Sequence, residues 1–345
     1  IGLMSGTSLD GLDMVYVSFD KSNYKNFKII HSDTVNYSKE WKGKLKNAIL
    51  LPKKEIKKLD TEFGKLLGEK VLQFISNYNI LNIDFIASHG HTVFHQPDSG
   101  ITLQIGNGKE IALVTGCKVV CDFRTQDVEL GGQGAPLVPI GDKLLFSEFD
   151  YCVNLGGFAN ISFEKDEKRI AYDICPVNIV LNKYANKLGF EYDKNGEIAK
   201  TGKVIDELFE QLKKLEYYKK NYPKSLGLEW VQEEIFPRLE AAPRKQIDLL
   251  RTFTEHIARQ LARNFTKNAR ILVTGGGAFN DYLLERIKYH KKVNIVKPSQ
   301  KLIEYKEALI FGFLGVLRLR EEVNCLQSVT GAVKDHSSGK IYRQN

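Results

Sequence analysis

Three glycine-rich stretches carry the residue types that hold a phosphorylated ligand. The first is Ser5-Gly6-Thr7-Ser8-Leu9-Asp10-Gly11-Leu12-Asp13, behind an apolar run at 1–4. Glycine reaches positive φ and lets backbone N–H groups close on an anion. The hydroxyls of Thr7 and Ser8 add donors, and Asp10 or Asp13 offers a carboxylate to a hydrated Mg²⁺. The second, Asn154-Leu155-Gly156-Gly157-Phe158-Ala159-Asn160, is by itself explained as a hairpin turn. The third, Val273-Thr274-Gly275-Gly276-Gly277-Ala278-Phe279-Asn280, stands between an expected strand and an expected helix. Backbone amides there meet a ribose or phosphate at a helix start. No Gly-Lys-Ser/Thr follows and the spacing is not GxGxxG, so it is neither a P-loop nor a dinucleotide fingerprint. Taken singly, each stretch is also an ordinary turn. Three of them at matching places in two similar halves point to a nucleotide between domains.

Other side chains suggest the reacting groups. Ser88-His89-Gly90-His91-Thr92 ends an apolar run, and His95 follows. In an extended chain His89, His91 and His95 share one side, the pattern of a metal-dependent hydrolase. Such a site needs further ligands from later strand ends. His31, His256, His290 and His336 fall in a strand, two helices and the tail, which suits that poorly. Hydrogen bonding to a polar substrate is the reading for His89, and structural or surface roles are the reading for His91 and His95. Asp173 ends the run Ala171-Tyr172-Asp173. It is either a general base facing a cleft or the cap of the helix expected at 178–188. Arg124, after Asp122-Phe123, is either a fork for a substrate carboxylate or a surface ion-pair partner. Asp193-Lys194-Asn195-Gly196-Glu197 resembles a Ca²⁺ loop only superficially. Ile198 and Val204 occupy the positions that need Gly and Glu.

The elements that must position these groups follow a repeated order. Strands are expected at 1–4, 14–20 and 27–37, then a helix with Leu59, Phe63, Leu66, Leu67, Phe74 and Ile75 on one face. Apolar runs at 84–88 and 102–105, a helix at 107–115 and a strand at 118–123 complete the half. The second half repeats this: strands at 151–155, 159–163 and 169–174, a helix at 178–188, and a helix at 247–265. A strand at 271–274, a helix at 278–287, a strand at 293–296 and a helix at 305–320 follow. Two such copies suggest duplicated α/β domains. The division is expected near 131–136, with the tail returning to the first domain.

Composition narrows the class. The chain has 345 residues, 43% apolar and 27% charged, which fits a soluble two-domain protein. No apolar stretch reaches the roughly 18 residues of a membrane span. The opening IGLMSGTSLDG has no signal-peptide pattern, and the lack of a starting Met leaves a few residues expected upstream. Five cysteines without a CxxC pair argue for a reducing, cytoplasmic setting. The formal charge of +8 raises nucleic-acid binding. However, the Lys clusters alternate with Leu and Glu on helix faces, and no aromatic–basic recognition motif appears.

In order along residues 2 to about 332, GLMSGTSLDGLD, ASHGHTVFHQP, TLQIGN, CDFRTQDVELGGQGAPLVP, NLGGFANIS, YDICPVN, YPKSLG, VTGGGAFN and KEALIFGFLG resemble the anhydro-N-acetylmuramic acid kinase family. The resemblance implies two ribonuclease-H-like (actin-like ATPase) domains with an ATP cleft between them. These are 1–132 plus 326–345, and 133–325. It implies an enzyme that hydrolytically opens 1,6-anhydro-N-acetylmuramic acid, a cell-wall turnover product, and phosphorylates O6. Asp173 matches the base that activates water. Gly6, Thr7, Ser8, Leu9, Asp10, Gly11, Leu12 and Asp13 match the ATP phosphate turn, with Asp10 and Asp13 near Mg²⁺. Gly156 and Gly157 match a second phosphate turn. Gly275, Gly276, Gly277 and Asn280 match the adenosine side; His89, Arg124 and Glu307 match the sugar side. A homodimer is also implied.

Two departures stand out. The family's Asp-Thr-Gly-Pro-Gly-Asn reads Asp173-Ile174-Cys175-Pro176-Val177-Asn178 here, and its Ser-His-Gly-Gln-Thr has His91 for Gln. Two other readings stay beside the kinase: a non-catalytic nucleotide sensor on the same fold, and the metal-dependent hydrolase.

Overall fold

Buried apolar residues recur at the pleat positions of the first strands. Leu3 in Gly2–Ser5 (β1), and Leu12 and Met14 in Gly11–Phe19 (β2), lose all but a trace of their solvent exposure. These belong to a computed structural model that describes every residue except Thr7, Ser8, Asp10, Pro243, Arg244, Gln344 and Asn345. The chain divides into two compact units, Ile1–Leu145 with Tyr305–Asn345, and Phe146–Glu304. Sequence places the divisions at 132/133 and 325/326.

In the first unit β1, β2 and Phe27–Asn36 (β3) form an antiparallel meander. Ile86–Ser88 (β4) runs parallel to β1. His91–Gln96 (β5) and Ile101–Ile105 (β6) pair in a separate hairpin. Val119–Cys121 (β7) lies parallel to β4, and the strand at 340–342 closes the far edge beyond it. The helix Lys53–Asn77 buries Leu59, Phe63, Leu67, Val71 and Phe74, a three-to-four-residue spacing that keeps one face inward. β1 touches the helix Gln300–Leu319 through Gly2, where a Cβ would collide with the Ala308 carbonyl.

In the second unit Tyr151–Leu155 (β8), Phe158–Lys165 (β9) and Lys168–Pro176 (β10) form the meander. Arg270–Thr274 (β11) runs parallel to β8, and Asn294–Val296 (β12) parallel to β11. The remaining strand, Lys340–Tyr342, is β13. Both units therefore share one strand order, third-second-first-fourth-fifth. The second strand is antiparallel to the first, and the fourth and fifth are parallel to it. This is the expected ribonuclease-H-like α/β sheet, present twice.

Local differences from the sequence pattern are physical. Gly11, Leu12 and Asp13 are not turn residues, because backbone pairing of Ser5 with Leu12 and of Gly11 with Asn36 draws them into β2. Residues 6–10 connect β1 to β2. Among them Thr7, Ser8 and Asp10 lie outside the described residues, and Leu9 sits at φ 61° with its N–H on the Gly6 carbonyl. No described helix is long and apolar enough to cross a membrane. All five cysteines are free.

Candidate functional site

In the first unit, Arg124 and His89 are locked together. Arg124 follows β7 and His89 follows β4, so adjacent parallel strands bring them to the same sheet end. The Arg124 Nε and Nη2 groups donate to His89 Nε2 at 3.1 and 2.8 Å. A guanidinium only donates, so Nε2 carries a lone pair and Nδ1 carries the proton, which goes to the Gly90 carbonyl at 2.9 Å. Burial, then the Arg124 charge, holds the His89 imidazole well below its usual range, in agreement with the neutral ring. Arg124 also donates Nη1–H to the Gly134 carbonyl at 2.7 Å. Two guanidinium N–H groups remain beyond these bonds. Desolvation lowers the Arg124 pKa to about 10, and the Glu307 charge opposes that shift most strongly.

Glu307, on the helix Gln300–Leu319, has open surface yet is crowded by protein. That crowding pushes its carboxyl up, against the lowering effect of Arg124 and Lys306. A recess of about 150 Å³ in this unit is lined in part by His89, Gln104, Asn107, Asp122 and Thr125. Asp60 helps build it, accepting from the Gly106 N–H at 2.8 Å and Asn107 Nδ2 at 2.9 Å. Asp13, at the start of β2, accepts from Thr34 Oγ1 at 2.7 Å.

The three histidines do not gather round a metal. His89 faces Arg124. His91 takes a 3.3 Å contact from the Ser5 hydroxyl, which itself accepts from Tyr37 O–H. His95 meets Thr102 Oγ1 on β6. The break at His89–Gly90 between β4 and β5, where Gly90 has φ 75°, and the bulge between Thr92 and Phe94 interrupt the simple alternation that would align them. Among the described residues they form no metal-ligand cluster.

In the second unit, Asp173 sits just before a bulge in β10. It does not cap the following helix Asn178–Asn186, whose N-cap is Val177. Instead its Oδ2 accepts from the Leu226 N–H at 2.9 Å, and its backbone carbonyl accepts from Tyr217 O–H at 2.6 Å. Its Oδ1 has no hydrogen bond among the described residues. Burial raises its pKa, and the Leu226 bond works against that rise. The departing residues Ile174, Cys175 and Val177 are all core side chains, so their bulk fills the interior of this unit.

A cavity of about 710 Å³ opens in the same unit beside the glycine turn after β11. Asn178, Tyr192, Asn195, Gly276, Phe279 and Gln300 are among its walls, with Gly277 and Asn280. Its size suits a nucleoside-sized ligand. The glycines divide by role. Gly275 has φ 78°, and a Cβ there would lie 2.8 Å from the Leu155 carbonyl; on Gly277 it would lie 2.7 Å from Leu155 Cβ. Packing explains both. At Gly276 and Gly157 a Cβ would reach nothing nearer than 3.6 and 4.0 Å, so the fold alone does not require glycine there. Asn280 Oδ1 caps the helix Asp281–His290 through Leu283 N–H at 2.9 Å. Tyr192 and Gln300 join the cavity without any sequence motif, and Asn195 joins it from the stretch rejected as a Ca²⁺ loop. Asp193 of the rejected Ca²⁺ loop accepts from the N–H groups of Ile198 and Ala199.

Two sheets of one ribonuclease-H-like order, with glycine stretches after β8 and β11, define a duplicated ribonuclease-H-like α/β protein. A family model described as Anhydro-N-acetylmuramic acid kinase matches residues 1–344, and the chain belongs to that family. It is 36% identical to the anhydro-N-acetylmuramic acid kinase of Aliivibrio fischeri, over 100% of this chain and 99% of that protein. The protein of that name from Saccharophagus degradans is 35% identical, covering 99% of this chain and 98% of its own. The one from Acinetobacter baylyi is 32% identical over the same shares. Among solved structures, (R)-2-hydroxyglutaryl-CoA dehydratase component A from Acidaminococcus fermentans matches at TM-score 0.44 and 12% identity. That alignment covers 89% of this chain and 93% of the other, and it is too distant to add to the assignment.

Proposed function

We propose that this kinase uses ATP and water to convert 1,6-anhydro-N-acetylmuramic acid into N-acetylmuramic acid 6-phosphate and ADP, in cytoplasmic recycling of cell-wall sugar. The observation that carries the reading is Asp173: a half-buried carboxylate with one oxygen held by Leu226 N–H and the other available. Such a group takes a proton from water as that water attacks the anomeric carbon. The C1–O6 bond then breaks, and O6 displaces ADP from the γ-phosphorus. Arg124 directs its two remaining N–H groups at the substrate carboxylate, a fork suited to a planar anion. His89 acts on Arg124, since both of its nitrogens are committed within the protein. Glu307 contacts the sugar with a carboxyl whose pKa the surrounding protein raises.

The adenosine side belongs with Gly275, Gly276, Gly277 and Asn280, of which the last three line the 710 Å³ cavity. The empty Cβ space at Gly276 is the kind of room a close ligand fills. Gly156, Gly157 and residues 6–13 are assigned to the phosphates. Asp13 offers a hard oxygen ligand that fits Mg²⁺, with Asp10 as its proposed companion. Bound there, Mg²⁺ would neutralise phosphate charge. We assign a homodimer by family analogy.

The test is an ADP-release assay with the anhydro-muramic sugar, anhydro-glucosamine sugars, free N-acetylmuramic acid and no sugar. Turnover only with the anhydro-muramic sugar is expected. Turnover on the free hexose alone would remove the coupled ring opening.

A further inference from the structure

A second cluster of reactive side chains lies in the first unit, outside the groups assigned above. Asp127, Cys325 and His336 are all buried, and their ligand atoms lie within 4.8 Å of one another. Asp127 comes from the helix Thr125–Glu129. Cys325 and His336 face each other across a single antiparallel bridge, closed by N–H to carbonyl bonds of 3.0 and 3.1 Å. His336 Nδ1 lies 3.2 Å from the Lys334 carbonyl. A carbonyl can only accept, so Nδ1 bears the hydrogen and, in the neutral ring, Nε2 presents a lone pair. That nitrogen makes no hydrogen bond and lies 3.5 Å from Asp127 Oδ1, another acceptor. Asp127 is itself held by Thr330 Oγ1 and the Gly134 N–H, both at 2.7 Å.

Two acceptors facing each other in a dry interior need a cation between them. A proton on His336 is one answer, but it leaves the adjacent thiol only a long 3.9 Å contact to the Phe123 carbonyl. We propose that Asp127, Cys325 and His336 bind one Zn²⁺ ion per chain. Carboxylate, thiolate and imidazole are a donor set that a borderline-soft ion takes in preference to Mg²⁺ or Ca²⁺. Ligand atoms on one tetrahedral zinc lie roughly 3.3–3.7 Å apart, which the Asp127–His336 separation meets. The Lys334 carbonyl orients the ring, as an outer partner does at zinc sites. On binding, the Cys325 S–H gives its proton to solvent and its sulfur pair to the metal. Without a cation, burial and the Asp127 charge keep this thiol protonated. The ion would clip the returning chain to the helix that follows Arg124.

The test is Co²⁺ and Zn²⁺ titration of chelator-treated full-length protein, with metal content measured per chain. One Co²⁺ per chain, a thiolate-to-cobalt charge-transfer band and displacement by Zn²⁺ are expected. Cys325→Ser should abolish the band, and His336→Gln should weaken Co²⁺ affinity by about tenfold or more. Circular dichroism confirms that each variant is folded. No uptake at micromolar metal would overturn the site. So would uptake unchanged in both variants, or a His336 resonance showing an imidazolium paired with Asp127.

Discussion

A general base works only while ionised, so the environment of Asp173 sets where the enzyme loses activity in acid. Burial raises its pKa, and the acid limb of kcat/KM should lie above the ordinary aspartate value of about 3.9. Asp173→Asn should lower kcat by about 10²–10⁴ with little change in the KM for ATP. Rates measured across the acid range for both proteins check this, and an asparagine variant turning over at the parent rate would exclude the assigned base. Sequence singles out Asp173 by its place after a strand, but not what holds it. Tyr217 and Leu226 reach it from 44 and 53 residues away, and such contacts leave no spacing signal. His89 is likewise legible as a polar residue at a strand end. Only the position of Arg124, 35 residues on, shows that its nitrogens are already occupied.

At the level of elements, the turn after β11 holds glycines of two kinds, and they should respond differently to a methyl group. Gly275→Ala forces an L-residue to φ 78° against the Leu155 carbonyl, and should cost about 1–3 kcal/mol of stability. Gly276→Ala meets only Asn178 Nδ2 at 3.6 Å, so its melting temperature should hold while the KM for ATP rises several-fold. Thermal denaturation beside ATP saturation curves separates the two, and an unmoved KM in Gly276→Ala would take the nucleotide away from this turn. Helices with a clean apolar stripe are legible in advance: 247–265 is expected and Gln246–Arg263 is found. The cavity wall is less so. Tyr192 and Asn195 come from the connection before the helix Glu197–Thr201 and Gln300 from the start of the helix Gln300–Leu319, more than 100 residues on, so no spacing links them until the chain has folded.

For the molecule as a whole, the repeated strand order was readable because each half alternates apolar runs and turns in one sequence. Where the units part was harder to read, since the continuous helix Gln300–Leu319 contains the 304/305 boundary. Acid should weaken this structure from within. His256 is fully buried with Nε2 3.0 Å from Tyr218 Oη, and burial alone lowers its pKa to about 3. Its unfolded value is near 6.5, so between those limits the unfolded chain binds the extra proton. The stabilisation is complete above about pH 6.5 and drains away as pH falls toward 3. His256→Gln should flatten the fall of melting temperature between neutral and mildly acid pH, and an equally steep slope in the variant would reject this account. Chain order has a further consequence, for biosynthesis. The unit Phe146–Glu304 is one uninterrupted segment, whereas residues 1–145 obtain the edge strand β13 only after the whole second unit has been translated. At roughly 5–20 residues per second that wait lasts on the order of ten seconds or more. During it the outer edge of β7 is open on the ribosome, the interval in which a nascent chain most needs a chaperone.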